Sequence, residues 1–164
     1  AMSWPSCHRS VVANAMLAIE LEAEPFEPLS ALAEWHQLLA AGLGMLPAAE
    51  SHFVGRVRPS CANDVPLTAL ELEHYPGMTE ACIASLAAAA ADRHGTTAVL
   101  VKHRIGLVLP GEAIVLVAVA ADRRGPAQRC CQELLEALKH EAPFWKREWR
   151  SDGRGTWLSG NTPL

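Results

Sequence analysis

The sequence has no CxxC pair, and its five cysteines (Cys7, Cys61, Cys82, Cys130 and Cys131) are odd in number and follow no repeated spacing. This argues against a disulfide framework and against a cysteine-held structural zinc. The adjacent Cys130 and Cys131 are poorly placed to bond to each other, because the geometry is strained. A reducing cytoplasm is the simplest expected home. Long apolar runs are also missing. The longest, around "AGLGML" and "AIVLVAVAA", fall well short of the ~20 residues that cross a bilayer. There is no GxGxxG and no GxxxxGK[ST], so neither dinucleotide nor P-loop chemistry is signalled. Basic residues are scarce at the start: residues 1–52 carry Arg9 alone against six acids, whereas residues 53–164 carry thirteen basic and twelve acidic residues, for a net charge of −4 overall. Bulk charge therefore excludes a nucleic-acid binder. Any anion site must be a local cluster in the second part.

What is present suits one domain with a real core: 164 residues, half of them apolar. Residues 1–14 read as a tail and 15–164 as a single domain. "SVVANAMLAI" runs into Glu20, Glu22 and Glu24 without a small-residue cleavage site, so it is not read as a signal peptide. "MLAIELEAEP" predicts a first strand, and "PLSALAEWHQLLAAG" a helix capped by Ser30 and stopped at Gly42. "GLGMLPAAES" reads as a loop, "HFVGRVRP" as a strand ended by Pro59, "SCANDVP" as a loop and "LTALELEHY" as a strand. A second helix follows the Pro-Gly turn, with Thr79 as its cap and Gly95 as its end. "TAVLVKHRIG" and "EAIVLVAVAAD" are β-rich runs separated by "LVLPG". The second is apolar almost throughout, so it is expected to be central and covered on both faces. Residues 126–141 form the last helix, with Leu134, Leu135 and Leu138 on one face. "FWKREWR" and "GTWLS" close the chain as a hairpin around "SDGR". The mixture predicts an α+β fold with a mostly antiparallel sheet flanked by helices.

Cations supply the candidate chemistry. Arg56 and Arg58 stand at i and i+2 on one predicted strand, so they point the same way. His103 and Arg104 end another strand. Lys139 closes the last helix, and Lys146 with Arg147 opens the strand after it, beyond the corner "APFW". Phe144 and Trp145 are read as the anchors of that corner in the core. If these ends converge, they form a cationic pocket for an anion such as a phosphate, with Arg supplying forked hydrogen bonds. Like charges there would lower a lysine pKa and make it a nucleophile or base. Spacing alone favours the plainer readings: solvated strand-end cations, a packed His103, and Lys139 complementing the helix dipole. Cys61 lacks the flanks of a reactive thiol. His74 and Tyr75 read as a strand end entering a turn rather than a general-acid pair.

Four strings, "FVGRVR" (53–58), "LELEHYPGMTE" (70–80), "VKHRIGLVLPGE" (101–112) and "LKHEAPFWKRE" (138–148), resemble the catalytic, large subunit of molybdopterin synthase. The likeness runs over about residues 53–158. It implies the family's α/β hammerhead fold and a homodimeric core, with a small ubiquitin-like sulfur-carrier subunit at each end of a heterotetramer. It also implies transfer of sulfur from that subunit's C-terminal thiocarboxylate to cyclic pyranopterin monophosphate (precursor Z), forming the molybdopterin dithiolene with no cofactor and no metal at this step. By the same motifs, Lys139 and Lys146 match the two active-site lysines, Lys139 nearest the thiocarboxylate carbon and Lys146 on the pterin. Arg56, Val57 and Arg58 match the substrate-binding strand, with Arg58 the stronger candidate for phosphate. His103 and Arg104 match the pair lining the anion site, and Arg147 and Glu148 the segment beside Lys146. The sequence departs from the family pattern in the loop "PSCANDVP", in "AAGLGMLPAAE", and in a short tail where Asn161 takes the place of an Arg. Those departures leave a second reading: a homologue that binds the small subunit or an anion without turnover.

Overall fold

The computed structural model describes residues 14–158. Residues 1–13 of the expected N-terminal tail, and Asn161, lie outside the described residues. The chain order is β1 (Met16–Glu22), α1 (Pro28–Leu43), β2 (Ala49–Arg56), a short 3-10 turn (Ala62–Asp64), β3 (Leu67–His74), α2 (Met78–His94), β4 (Ala98–Arg104), β5 (Gly106–Val108), β6 (Ala113–Ala121), α3 (Arg124–Glu141), β7 (Phe144–Arg150) and β8 (Gly155–Trp157). Among the described residues, no helix is long and apolar enough to cross a membrane.

The strands form two four-stranded sheets, ordered β1-β4-β6-β2 and β5-β3-β7-β8. Only β1 and β4 run parallel. The α+β character and the antiparallel bias are as the sequence predicts. The division into two sheets, and strand β5 within the "LVLPG" connection, are not. The cause lies at the end of β4. Ile105 donates its N–H to Glu22 O at 3.0 Å, the last tie to the first sheet. Gly106 then takes φ 75°, a turn that favours glycine, and the chain enters β5 against β3.

In the first sheet, β4 and β6 are covered on both faces, as expected for the second of these runs from its almost wholly apolar sequence. Leu100, Leu116, Ala118 and Ala120 face α1 through Leu32, Trp35 and Leu39. Val99, Val101, Val117 and Val119 face α2 and α3 through Ile83, Ala87, Cys130, Leu134 and Leu138. The core thus lies in two layers around one sheet.

Several boundaries move for local reasons. Helix α1 begins at Pro28, whose missing N–H suits a first turn. Glu27, not Ser30, caps it, its carboxylate accepting the Leu29 N–H at 3.3 Å, and the helix ends at Gly44 with φ 83°. A Cβ on Gly42 would stand 3.1 Å from the Met16 side chain, so that glycine permits close approach to β1 rather than a stop. Strand β2 starts at Ala49, inside the expected loop, and ends at Arg56 after a register shift. Arg58 therefore lies past the strand, although the alternation persists: Val57 is buried while Arg56 and Arg58 are exposed. Helix α3 starts at Arg124, with Pro126 in its first turn. The cap of α2 is Gly77, not Thr79. The four cysteines among the described residues are free.

Candidate active site

The α3–β7 corner brings the two lysines together. Lys139 lies in the last turn of α3. Ala142 closes the helix, Pro143 cannot continue it, and Phe144 opens β7. Alternation along β7 then sends Phe144, Lys146 and Glu148 to one face and Trp145, Arg147 and Trp149 to the other. Their partners across β3 are His74, Leu72 and Leu70 on the first face, and Glu73, Glu71 and Ala69 on the second. Of the two expected anchors, Phe144 is therefore half-buried against the core and Trp145 is not. Phe144 stacks on His103 with ring centroids 4.1 Å apart and planes at 13°. Trp145 is 42% exposed and meets Tyr75 edge-on at 4.4 Å.

Thr79 fixes this corner from the start of α2. Its hydroxyl accepts the Tyr75 N–H at 3.0 Å and donates to the Pro143 carbonyl at 3.2 Å. The Thr79 N–H returns a bond to the Tyr75 carbonyl at 2.9 Å. A role beyond capping was not legible in the sequence, because Pro143 lies far along the chain.

Electrostatically the corner is a cluster of interacting bases. Burial holds the Lys146 ammonium below the ordinary lysine range, and the neighbouring charge of Lys139 lowers it further. His103 is 8% exposed. Burial lowers its pKa to about 4, a backbone hydrogen bond opposes this, and the Lys146 charge adds to it. The ring is thus neutral at ordinary pH, its Nδ1–H donating to Arg104 O across 2.7 Å. Lys139 is half-buried, with its Nζ 3.9 Å from Glu136 Oε1 one turn back. That i, i+3 spacing was available in the sequence as a signal for Glu136.

The remaining candidates divide. Arg104 is 2% exposed, and its Nη2 donates to Leu107 O at 2.9 Å and Ala23 O at 3.3 Å. Its Nη1 stands 3.6 Å from Glu112, while Nε and Nη1 lack a hydrogen-bond partner among the described residues. The guanidinium therefore ties the first sheet to the β5 turn. Val57 packs with Leu67, Leu72 and Val108, on the Lys146 face of the second sheet. Glu148 shares that face and accepts from the Cys61 thiol, whose pKa is raised by burial first and then by this contact. A raised thiol agrees with an unreactive Cys61. Arg147 lies on the opposite face, 3.9 Å above the Trp157 ring and 5.0 Å from Trp149, with its Nε 3.4 Å from Glu71. The structure thus groups Lys139, Lys146, His103 and Phe144, places Val57 and Glu148 along the same face, and separates Arg147. Of two shallow surface depressions, one lies over Glu71, Leu107 and Trp149 and the other over Leu72, His74 and Gly106; neither is lined by either lysine.

A family model described as "MoaE protein" matches residues 21–141. The chain belongs to the MoaE protein family. A relative named molybdopterin synthase catalytic subunit, from Ralstonia nicotianae, is 45% identical over 116 residues, covering 70% of this chain and 64% of its own length. The chain thus spans just under two thirds of that relative. One of the same name from Caulobacter vibrioides is 39% identical over 137 residues, covering 84% of this chain and 86% of its own. The solved molybdopterin biosynthesis MoaE protein from Burkholderia ambifaria MC40-6 has a similar fold, with a TM-score of 0.72 at 36% identity over 91% of this chain and 93% of that one. The MoaE match covers β4 and β6 of the first sheet and β3 of the second, and ends at Glu141, before β7. Lys139 lies inside the matched span and Lys146 just beyond it.

Proposed function

We propose that this MoaE-family chain is the catalytic subunit of a molybdopterin synthase. It accepts sulfur from the C-terminal thiocarboxylate of a small ubiquitin-like carrier and passes it to cyclic pyranopterin monophosphate. Each transfer leaves the carrier as a carboxylate, so two carriers are consumed per dithiolene. The observation that carries this reading is the half-buried Lys146 with Lys139 beside it. Both substrates are anions, and two adjoining ammonium groups provide complementary charge. Burial also makes the neutral amine of Lys146 more available for proton transfer than a solvated lysine would be. Lys139, in the more open position, is assigned to the thiocarboxylate carbon as nucleophile or acid/base. Lys146 is assigned to the pterin, which Arg58 helps to hold by its phosphate, with Arg56 on the same approach. His103, neutral and stacked on Phe144, keeps the strand end in place. The working assembly is a homodimer with one carrier at each end. Free cysteines suit a reducing compartment, and the reaction is placed in the cytoplasm.

The test is direct. The purified chain, mixed with thiocarboxylated carrier and precursor Z, should form the dithiolene product. Lys139→Ala should lower the rate by at least about 10²-fold while still binding the carrier; full activity in that variant would overturn its role. A second reading is favoured by the internal engagement of Arg147 and Arg104, which leaves fewer cations for a substrate. In that reading the chain docks the carrier or an anion without turnover, and the same assay would give normal complex formation and no product.

A further inference from the structure

The fold assembles a second set of donors that no spacing rule brought together. Glu50 and His52 stand at i and i+2 on β2, so they share a face, and their partners on β6 are Ala120 and Ala118. Both alanines belong to the layer that packs against α1. His36 reaches over from α1, beside the buried Trp35. His36 Nε2 lies 2.7 Å from Glu50 Oε2, and His52 Nε2 lies 2.9 Å from the same oxygen. The two imidazole centroids are 6.4 Å apart, and the donor atoms of the three residues all lie within 4.8 Å of one another. Two ring nitrogens from different elements therefore converge on one carboxylate oxygen.

We propose that His36, Glu50 and His52 bind a single divalent transition ion of the zinc class. Two imidazoles and one carboxylate form the three-ligand set of an open zinc site, with a fourth position left to water or another donor. Nitrogen donors favour zinc-class ions over calcium or magnesium, which take oxygen. Metal–ligand bonds of about 2.0–2.2 Å in tetrahedral geometry put neighbouring donors roughly 3.3 Å apart. The present 2.7 and 2.9 Å between each ring and Glu50 need a small spreading, while the two ring nitrogens, within 4.8 Å of one another, close to the same spacing by rotation of the histidine side chains, which are about one-third exposed. Each imidazole must carry its proton on Nδ1 in the bound form. The site lies on the opposite face of the first sheet from α3, the helix that carries Lys139, and does not depend on the sulfur-transfer reading. The competing account is a hydrogen-bonded clasp that fixes α1 to the edge strand β2.

The experiment uses the metal-stripped full chain. Zinc titrated by calorimetry should bind at one ion per chain in a site lost in His36→Ala/His52→Ala, and cobalt should show the visible bands of four-coordinate ligation. His52→Gln alone should weaken binding by more than the roughly tenfold that losing even an outer-shell partner costs. Because the chain has other histidines, the double variant serves as the baseline. Thermal unfolding with and without zinc controls for folding: zinc should raise the midpoint of the wild-type chain and leave that of His52→Gln nearly unchanged. Equal zinc affinity and stoichiometry in the wild-type chain and the double variant would overturn the site, as would no binding by either; the triad would then be a clasp only.

Discussion

Lys146 holds its proton less firmly than an ordinary lysine for two reasons that can be separated, burial first and the charge of Lys139 second. Lys139→Met keeps the bulk and removes the charge. The Lys146 pKa, followed by NMR of ¹³C-labelled lysine, should rise in that variant yet stop short of the ordinary range, because burial remains. An unchanged titration would show that burial acts alone. His103 titrates with a different consequence. Its folded pKa is about 4 against an ordinary 6.5, so between those values the unfolded chain takes up the proton more readily. Stability is fully present above about pH 6.5 and is lost as pH falls toward 4, by about 3 kcal/mol in all. Urea midpoints at about pH 7.5 and pH 4.5 should show this loss. His103→Phe, which keeps a ring against Phe144 and drops the titrating group, should shrink it. At this scale the sequence showed which cations stand near one another in the chain, but not their state. The lysine pair was visible as a motif, but burial, which lowers the Lys146 and His103 pKa values, depends on contacts with β3 and β4 that no local string contains. The same limit applies to Arg147: the motif grouped it with Lys146, whereas alternation along β7 and the pairing with Glu71 and Trp157 put it on the opposite face.

The corner between α3 and β7 shows how elements hold those residues. Thr79 is fully buried and bonds to Tyr75 and Pro143 at once. It thereby links the end of β3, the start of α2 and the entry to β7. Thr79→Val keeps the shape and leaves the Tyr75 N–H and the Pro143 carbonyl without their partner. Such orphaned groups cost about 1–3 kcal/mol, so the variant should unfold at lower urea, whereas Thr79→Ser should recover most of the loss. Equal midpoints for Thr79→Val and the parent would show that solvent or a shifted backbone satisfies both groups. Among the elements themselves, the long periodic segments were legible: α2 ends at Gly95, and the β7–β8 hairpin turns at "SDGR" as its composition suggests. The errors concentrate where a partner decides. Strand β5 is three residues long and exists only because β3 offers an edge. The first three residues of β2 lie within a stretch of loop-like composition and become strand by pairing with the apolar β6.

Across the whole molecule, the two sheets differ in how they are covered. The first is buried on both faces by helices. The second packs one face through Val57, Leu72 and Val108, while its other face presents Leu107 at 58%, Trp157 at 45% and Trp145 at 42% exposure, with Trp149 and Arg147 between them. An apolar face of this kind on a small protein marks an interaction surface, and Trp, Tyr and Arg are the residues that dominate such surfaces. The proposed homodimer needs a self-complementary patch, and this face has the aromatics and a central cation stacked on two tryptophans. Leu107→Glu combined with Trp157→Glu places charge on opposite sides of the patch without entering the core, since both side chains point outward. Light scattering at fixed concentration should find the parent chain at twice the monomer mass and the double variant at the monomer mass, with the far-UV spectrum unchanged. A double variant that remained dimeric would move the self-association surface elsewhere, to a helix face or the open edge of β2, and would leave the aromatic face to the carrier subunit.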